Sequence, residues 1–258
     1  MFILIPRPTF IAVLFTALIS STAAAHFQEL IPSNEIISTP NERALQFTLD
    51  FTHPMARGPA MPMAKPKHFG VLIGNRKVDL MAQLTPVQLN NQPAFTAQYT
   101  IKQPGDHLFF VEPAPYWEQA EGVMIIHYTK VIVSAYGEES GWDQPIGLPV
   151  EIIPLTRPYG LWTGHLMRGV VQYNGQPAPF ATVEVEWRND GSITAPADPF
   201  ITQVIKTDAN GVFAFTMPRA GWWGFAALIP VEQSLPNPDG TLVPVELGGL
   251  LWVRTRDL

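Results

Sequence analysis

The sequence predicts an all-β protein: two consecutive antiparallel β-sandwich modules behind a cleaved signal peptide. Three observations predict it. Leu45, Phe47, Leu49 and Phe51 alternate with Gln46, Thr48 and Asp50, the period of a half-buried strand. The 258 residues include 26 Pro and 19 Gly, which break helices and punctuate short strands. No stretch keeps a 3.6-residue apolar stripe over three turns, as an amphipathic helix would. A hydrophobic content of 47% with 15% charged residues is that of a chain with a real core.

The first 25 residues read as a separate object. Arg7 supplies a positive start, Phe10 to Ile19 is apolar apart from Thr16, and Ser20 to Ala25 are small. That is the pattern of a secretory signal peptide cleaved after Ala25, and its apolar run is too short to cross a hydrocarbon core of roughly 30 Å. The mature chain is then expected to begin at His26 and to be soluble in a bacterial periplasm. There is no Cys, hence neither a disulfide staple nor a lipidation site, and the core alone must hold the fold. A net charge of −6 without a Lys/Arg cluster excludes nucleic acid as a partner. Nothing in the sequence fixes an oligomeric state.

Along the mature chain, strands are expected at Leu45–Phe51, His68–Ile73, Phe95–Ile101, His107–Glu112, Met124–Ala135 and Val150–Ile153, with one helical turn within Leu80–Leu89. Gly74-Asn75 and Gln103-Pro104-Gly105-Asp106 separate them. The pattern restarts after Pro154. Ala181, Val183, Val185 and Trp187 face one way and Thr182, Glu184 and Glu186 the other; Asn174-Gly175 is a hairpin turn, because both residues tolerate positive φ. Phe200–Lys206 and Val212–Met217, joined by Thr207 to Gly211, read as a second hairpin, followed by strands at Trp222–Ile229 and Leu250–Arg254. The expected organisation is a signal peptide over 1–25, a sandwich over 26–155 that carries the functional site, and a second sandwich over 156–258.

Chemistry concentrates in the first module. A chain that begins with histidine offers its α-amine and its ring Nδ1 as a chelate. Both must be neutral to bind, and an α-amine titrates at about pH 8, so binding weakens in acid. Two nitrogens are half a site, and the fold must add ligands. His53 follows a strand directly and opens a Pro-bounded loop with Met55, Met61 and Met63; thioethers suit Cu(I), or else fill the core. His127 lies inside an apolar strand, where it either takes a hydrogen bond within the core or faces an ion. The Glu112–Glu121 stretch combines Tyr116, Trp117 and Glu118 with two prolines and either walls a pocket or packs as a rigid loop. His107 and His68 read as strand-edge surface positions and His165 as structural. There is no Gly-x-Ser-x-Gly elbow, no His-Glu-x-x-His pair and no phosphate loop, which argues against an enzyme.

Several stretches resemble a domain-of-unknown-function family of exported proteins described as periplasmic components of nickel/cobalt ABC-type uptake systems. They are HFQELIPS from His26, FTHPM from Phe51, GDHLFFVEPAPYWEQAE from Gly105, IIHYTKVIV from Ile125, GLPVEIIPLTRPYGLW from Gly147 and DANGVFAFTMPRAGWWGFAAL from Asp208. The first module looks Ig-like, and the second, with its Asp-Ala-Asn-Gly turn, is similar to carboxypeptidase-regulatory-type Greek-key sandwiches. The resemblance implies a metal set of His26, His53 and His127, surrounded by Met61, Met63 and the Tyr116-Trp117-Glu118 segment. It also implies a membrane metal-uptake transporter as partner and Ni²⁺ or Co²⁺ as the bound ion. A copper carrier, a copper oxidase that uses a histidine brace on polysaccharide, and a metal-free interaction module remain as alternatives.

Overall fold

A computed structural model describes residues 26–258; the signal-peptide assignment, at 1–25, lies outside the described residues. The described chain is all-β, with three single-turn 3₁₀ segments and no α-helix among the described residues. Its strands form three layers. An eleven-stranded sheet lies at the centre and a four-stranded sheet covers each of its faces.

Period two explains the layering. Along the central strands successive side chains enter opposite cores. Phe69, Val71, Phe109, Val111, Val131, Val133, Leu250 and Trp252 enter one core, while Leu72, Leu108, Phe110, Ile132, Leu251 and Val253 enter the other. A sheet covered on both faces needs apolar residues at every position, which is why these strands read as continuous apolar runs. The first core is closed by Phe27–Pro32, Ala44–Thr52, Gln92–Thr100 and Thr85–Leu89, and the second by Val150–Pro154, Leu166–Tyr173, Gln176–Pro177 and Val212–Thr216.

Both halves of the chain build the central sheet. Val123–Ala135 pairs in parallel with Leu242–Arg256, from Met124 opposite Val245 to Val131 opposite Trp252. Leu242–Arg256 in turn forms a long antiparallel hairpin with Gly221–Pro236. Val150–Pro154, just before the expected boundary, pairs with Leu166–Tyr173. One buried ion pair joins the central and outer sheets: Lys130 Nζ donates to Glu151 Oε1 at 2.7 Å, and the same carboxylate accepts from the backbone N–H groups of Ile146, Gly147 and Leu148.

Two local expectations are corrected. Phe200–Lys206 and Val212–Met217 do not pair as a hairpin. Gln203–Lys206 joins the central sheet beside Thr182–Trp187, whereas Val212–Thr216 joins an outer sheet beside Leu166–Tyr173. The Thr207–Gly211 turn, in which Asp208 Oδ1 accepts from Asn210 N and Val212 N, carries the chain between layers. His107 is not a surface residue. It is 0% exposed, because strands flank its own on both sides and a sheet covers its face; its Nδ1 is 3.1 Å from Gly105 O, and burial pushes its pKa down. The helical turn expected within Leu80–Leu89 is the 3₁₀ turn Met81–Gln83, which the strand Thr85–Leu89 follows.

Candidate metal centre

Register builds the site. Phe27 pairs with Thr52 and Gln28 with Phe51, so the residue before Phe27 stands across from the residue after Thr52. Those two are His26 and His53, whose ring centroids lie 4.6 Å apart at 59°. The amino-terminal strand is pinned from the far end of the chain: Trp252 Nε1 donates to Gln28 O at 3.0 Å, Thr129 Oγ1 donates to the same oxygen, and the Phe27 and Trp252 rings meet edge to face. The His53 loop is held on both sides, with Gly58 N donating to His53 O, Met61 N to Phe51 O, and Met55 N to Glu186 Oε2.

Glu118 completes the pair. The short strand Tyr116–Glu118 lies against Val123–Ile125, and Ala120 N donates to Glu118 Oε1 at 2.8 Å. The other carboxylate oxygen is 2.7 Å from His26 Nε2, the length of a charge-assisted bond donated by Nε2–H. That bond selects a tautomer and leaves Nδ1, the nitrogen nearer the main chain, as the ring's acceptor.

His127 stands apart from this pair. The Phe51 ring lies 5.7 Å from His26, 5.9 Å from His127 and 4.9 Å from Tyr116. His127 is 3% exposed, and neither ring nitrogen has a hydrogen-bond partner. Its Nε2 is 4.0 Å from Glu246 Oε1, too long for a hydrogen bond. Among the described residues no three His, Asp or Glu side chains converge as a ready-made ligand set. The thioethers are occupied: Met61 is buried against Phe51 and Ile125, and Met63 sits in the first core with its sulfur 3.5 Å from Gln28 Nε2.

One neighbouring feature escapes a sequence reading. A polar cavity of about 310 Å³ adjoins His53, lined by Glu29, Asp50, Arg57 and Arg188. Glu29 and Asp50 are register partners, and Arg188 Nε meets Glu29 Oε2 at 2.6 Å. Burial, with the Asp50 charge beside it and Arg188 opposing, pushes Glu29 up to about 8, and burial also raises Asp50. In the sequence Asp50 reads as the solvent side of an alternating strand. Only its pairing with Glu29 reveals a buried acid pair.

The family model for a domain of unknown function, DUF4198, matches residues 23–230. The chain belongs to the DUF4198 family. The match opens three residues before His26 and takes in His53, Glu118 and His127. No curated protein matches this DUF4198 chain in sequence. Among solved structures it is similar to dimeric latent PorU of Porphyromonas gingivalis (11% identity, TM-score 0.24, 94% of this chain and 21% of that one). It is similar also to an I-band fragment of titin (10%, 0.21, 90% and 66%) and to a "putative membrane anchored protein" of Corynebacterium diphtheriae (11%, 0.21, 89% and 59%). The chain thus spans about a fifth of PorU and just under two thirds of the titin fragment.

Proposed function

We propose that this DUF4198 protein is an exported carrier of a divalent transition metal, Ni²⁺ or Co²⁺, which it hands to a membrane importer. The ion is held by the α-amine and Nδ1 of His26 together with the His53 ring, once cleavage after Ala25 has exposed the amine. One observation carries this reading: Glu118 lies on Nε2 of His26, so the carboxylate orients the ring and keeps its proton on the nitrogen that a terminal chelate does not use. A carboxylate behind a ligating histidine raises its basicity and fixes its direction. An all-nitrogen set suits the later divalent ions of the first transition row. The buried thioethers of Met61 and Met63 speak against a Cu(I) carrier. A site at the end of a strand, with two protein side chains, suits loading and release better than a closed cage.

Isothermal titration of the processed protein tests the proposal. Ni²⁺ or Co²⁺ is expected to bind at micromolar or tighter dissociation constants. A form with one alanine ahead of His26 and the His53→Ala variant should each lose at least about a hundredfold, because a chelate ring or a ligand is removed. Unchanged affinity in the extended form would overturn the brace. As Cu²⁺ tops the affinity order for such ligands, the cargo is settled by metal analysis of protein taken from the periplasm and by growth of a deletion strain under nickel limitation against copper stress.

A further inference from the structure

Gln203–Lys206 is the last strand at one edge of the central sheet. Beside it lies a cavity of about 290 Å³ whose lining includes Trp187, Ile193, Pro196, Phe200, Phe215 and Trp223. Trp187 and Trp223 come from the central sheet and Phe215 from the outer one, so the slot opens where those two layers part. Phe200 is 58% exposed, a large ring at the rim that an apolar ligand would cover.

The slot is held in shape. The segment from Asn189 to Thr202 is tied at both ends, with Asn189 Nδ2 donating to Ile193 O at 2.8 Å and Thr202 Oγ1 to Glu186 Oε1 at 2.6 Å. Trp187 Nε1 donates to Ala220 O, and Trp223 Nε1 to Arg219 O. Those bonds fix both indoles and spend their only polar atoms, so the rings offer carbon surface to a ligand.

Arg219 is the one charged residue of this lining among the described residues. It is exposed, and its guanidinium carbon lies over the Trp187 ring, 5.1 Å from the centroid. That contact uses the π-face and leaves the in-plane N–H donors for an acceptor. Among the described residues no side chain or main-chain oxygen accepts from them. Asp190, whose carboxyl this charge helps to lower, makes no ion pair with it. Such a slot sorts ligands by charge. A neutral apolar molecule gains burial alone and a cation is repelled, whereas an apolar anion gains burial and a charge-assisted, bidentate bond.

We infer that this slot binds a small aromatic carboxylic acid, its ring among Trp187, Phe215 and Trp223 and its carboxylate on the Arg219 guanidinium. The aromatic walls supply stacking and edge contacts. A volume near the lower end for small-molecule sites, about 300 Å³, limits the ligand to one ring and a short chain.

The probe is 4-phenylbutyrate, titrated calorimetrically into the processed protein without added metal. Its dissociation constant should be about 1 mM or tighter, in keeping with about a dozen heavy atoms. 4-Phenylbutanamide, the same body without the charge, should bind about tenfold more weakly, and acetate, the charge without the body, should show no binding at about 10 mM. Arg219→Gln, a change at an exposed position, should erase the difference between acid and amide. In ¹⁵N–¹H spectra of the wild-type chain the acid should move the indole signals of Trp187 and Trp223. No binding of the acid at about 10 mM, equal binding of acid and amide, acetate binding as tightly as the acid, or shifts confined to other tryptophans would overturn the inference. None of these results touches the His26–His53 carrier, whose ion is absent from the assay.

Discussion

Glu118→Gln and Glu118→Ala should weaken the metal site unequally, and the inequality tests the tautomer argument. In the native chain Glu118 accepts twice, from Ala120 N at 2.8 Å and from His26 Nε2 at 2.7 Å. Glutamine has one acceptor and one donor end. If its oxygen takes the Ala120 N–H, its amide faces His26 and donates to Nε2. The ring proton then moves to Nδ1, the nitrogen that the chelate needs. With the amide reversed, two N–H groups face each other at Ala120, at a cost of about 1–3 kcal/mol for the lost partner. Alanine forces neither arrangement and loses only orientation. The expected loss of Ni²⁺ affinity is about tenfold for Glu118→Ala and nearer a hundredfold for Glu118→Gln, the span found for partners of metal-bound histidines. Titration calorimetry on processed proteins, in two buffers of different ionisation enthalpy, gives affinity and protons released together. Equal losses, or a milder loss for glutamine, would refute the reasoning, because loss of charge alone treats the two variants alike.

Removing either member of the buried Lys130–Glu151 pair should destabilise the fold, with Glu151→Leu worse than Lys130→Met. Glu151 leaves behind a buried ammonium and three backbone N–H groups, whereas Lys130 leaves a carboxylate that still accepts from those three. The expected losses are about 5 and about 3 kcal/mol in chemical denaturation, and the reverse order would refute the assignment. Stability should fall as pH rises from about 4.5, the ordinary carboxylate value, through 7 to about 8. Burial pushes Glu186 up to about 7 and Glu29 up to about 8, so their contributions are full below the unfolded carboxylate range and disappear as pH passes those values. For Glu186 this is on the order of 3 kcal/mol. His107, pushed down by burial, acts in the opposite sense only below about 6.5, and a denaturation midpoint rising above pH 7 would contradict the prediction. Gly248→Ala should cost about 2 kcal/mol by driving a methyl group into His127, and His127→Ala in that background should restore most of it; an additive double mutant would show that the two positions do not touch.

What could be read from the sequence was whatever depends on neighbours along the chain. Leu45, Phe47, Leu49 and Phe51 announce a half-buried strand, and the structure places Ala44–Thr52 there. Asn174-Gly175 announces a tight reversal, and Tyr173 pairs with Gln176 across it. His26 and His53 emerge as candidates because one follows an expected cleavage site and the other ends a strand, and their strands then bring them side by side. What escaped depends on partners far along the chain. His107 looks like a turn-edge residue until strands close around it. Asp50 looks solvated until Glu29 is its register partner. Thr207–Gly211 has hairpin chemistry, but a turn fixes only the local reversal of the chain, not the sheet that each flank joins. His127 joins His26 and His53 through the family resemblance, and the structure puts the Phe51 ring within 6 Å of both His26 and His127.

The placement of His26 follows from the same non-local logic. If cleavage leaves His26 first, such a residue is ordinarily frayed, but here the strand that follows it is gripped by Trp252 and Thr129 through a single carbonyl, that of Gln28. Trp252 belongs to Leu242–Arg256, the strand that joins the two halves through its parallel pairing with Val123–Ala135. The carboxy-terminal strand therefore holds Phe27–Pro32 in place, and the same strand carries Gly248 opposite His127. One strand thus holds the Phe27–Pro32 strand beside His26 and packs Gly248 against the His127 ring. The shared central sheet, rather than either half of the chain, is what positions both His26 and His127.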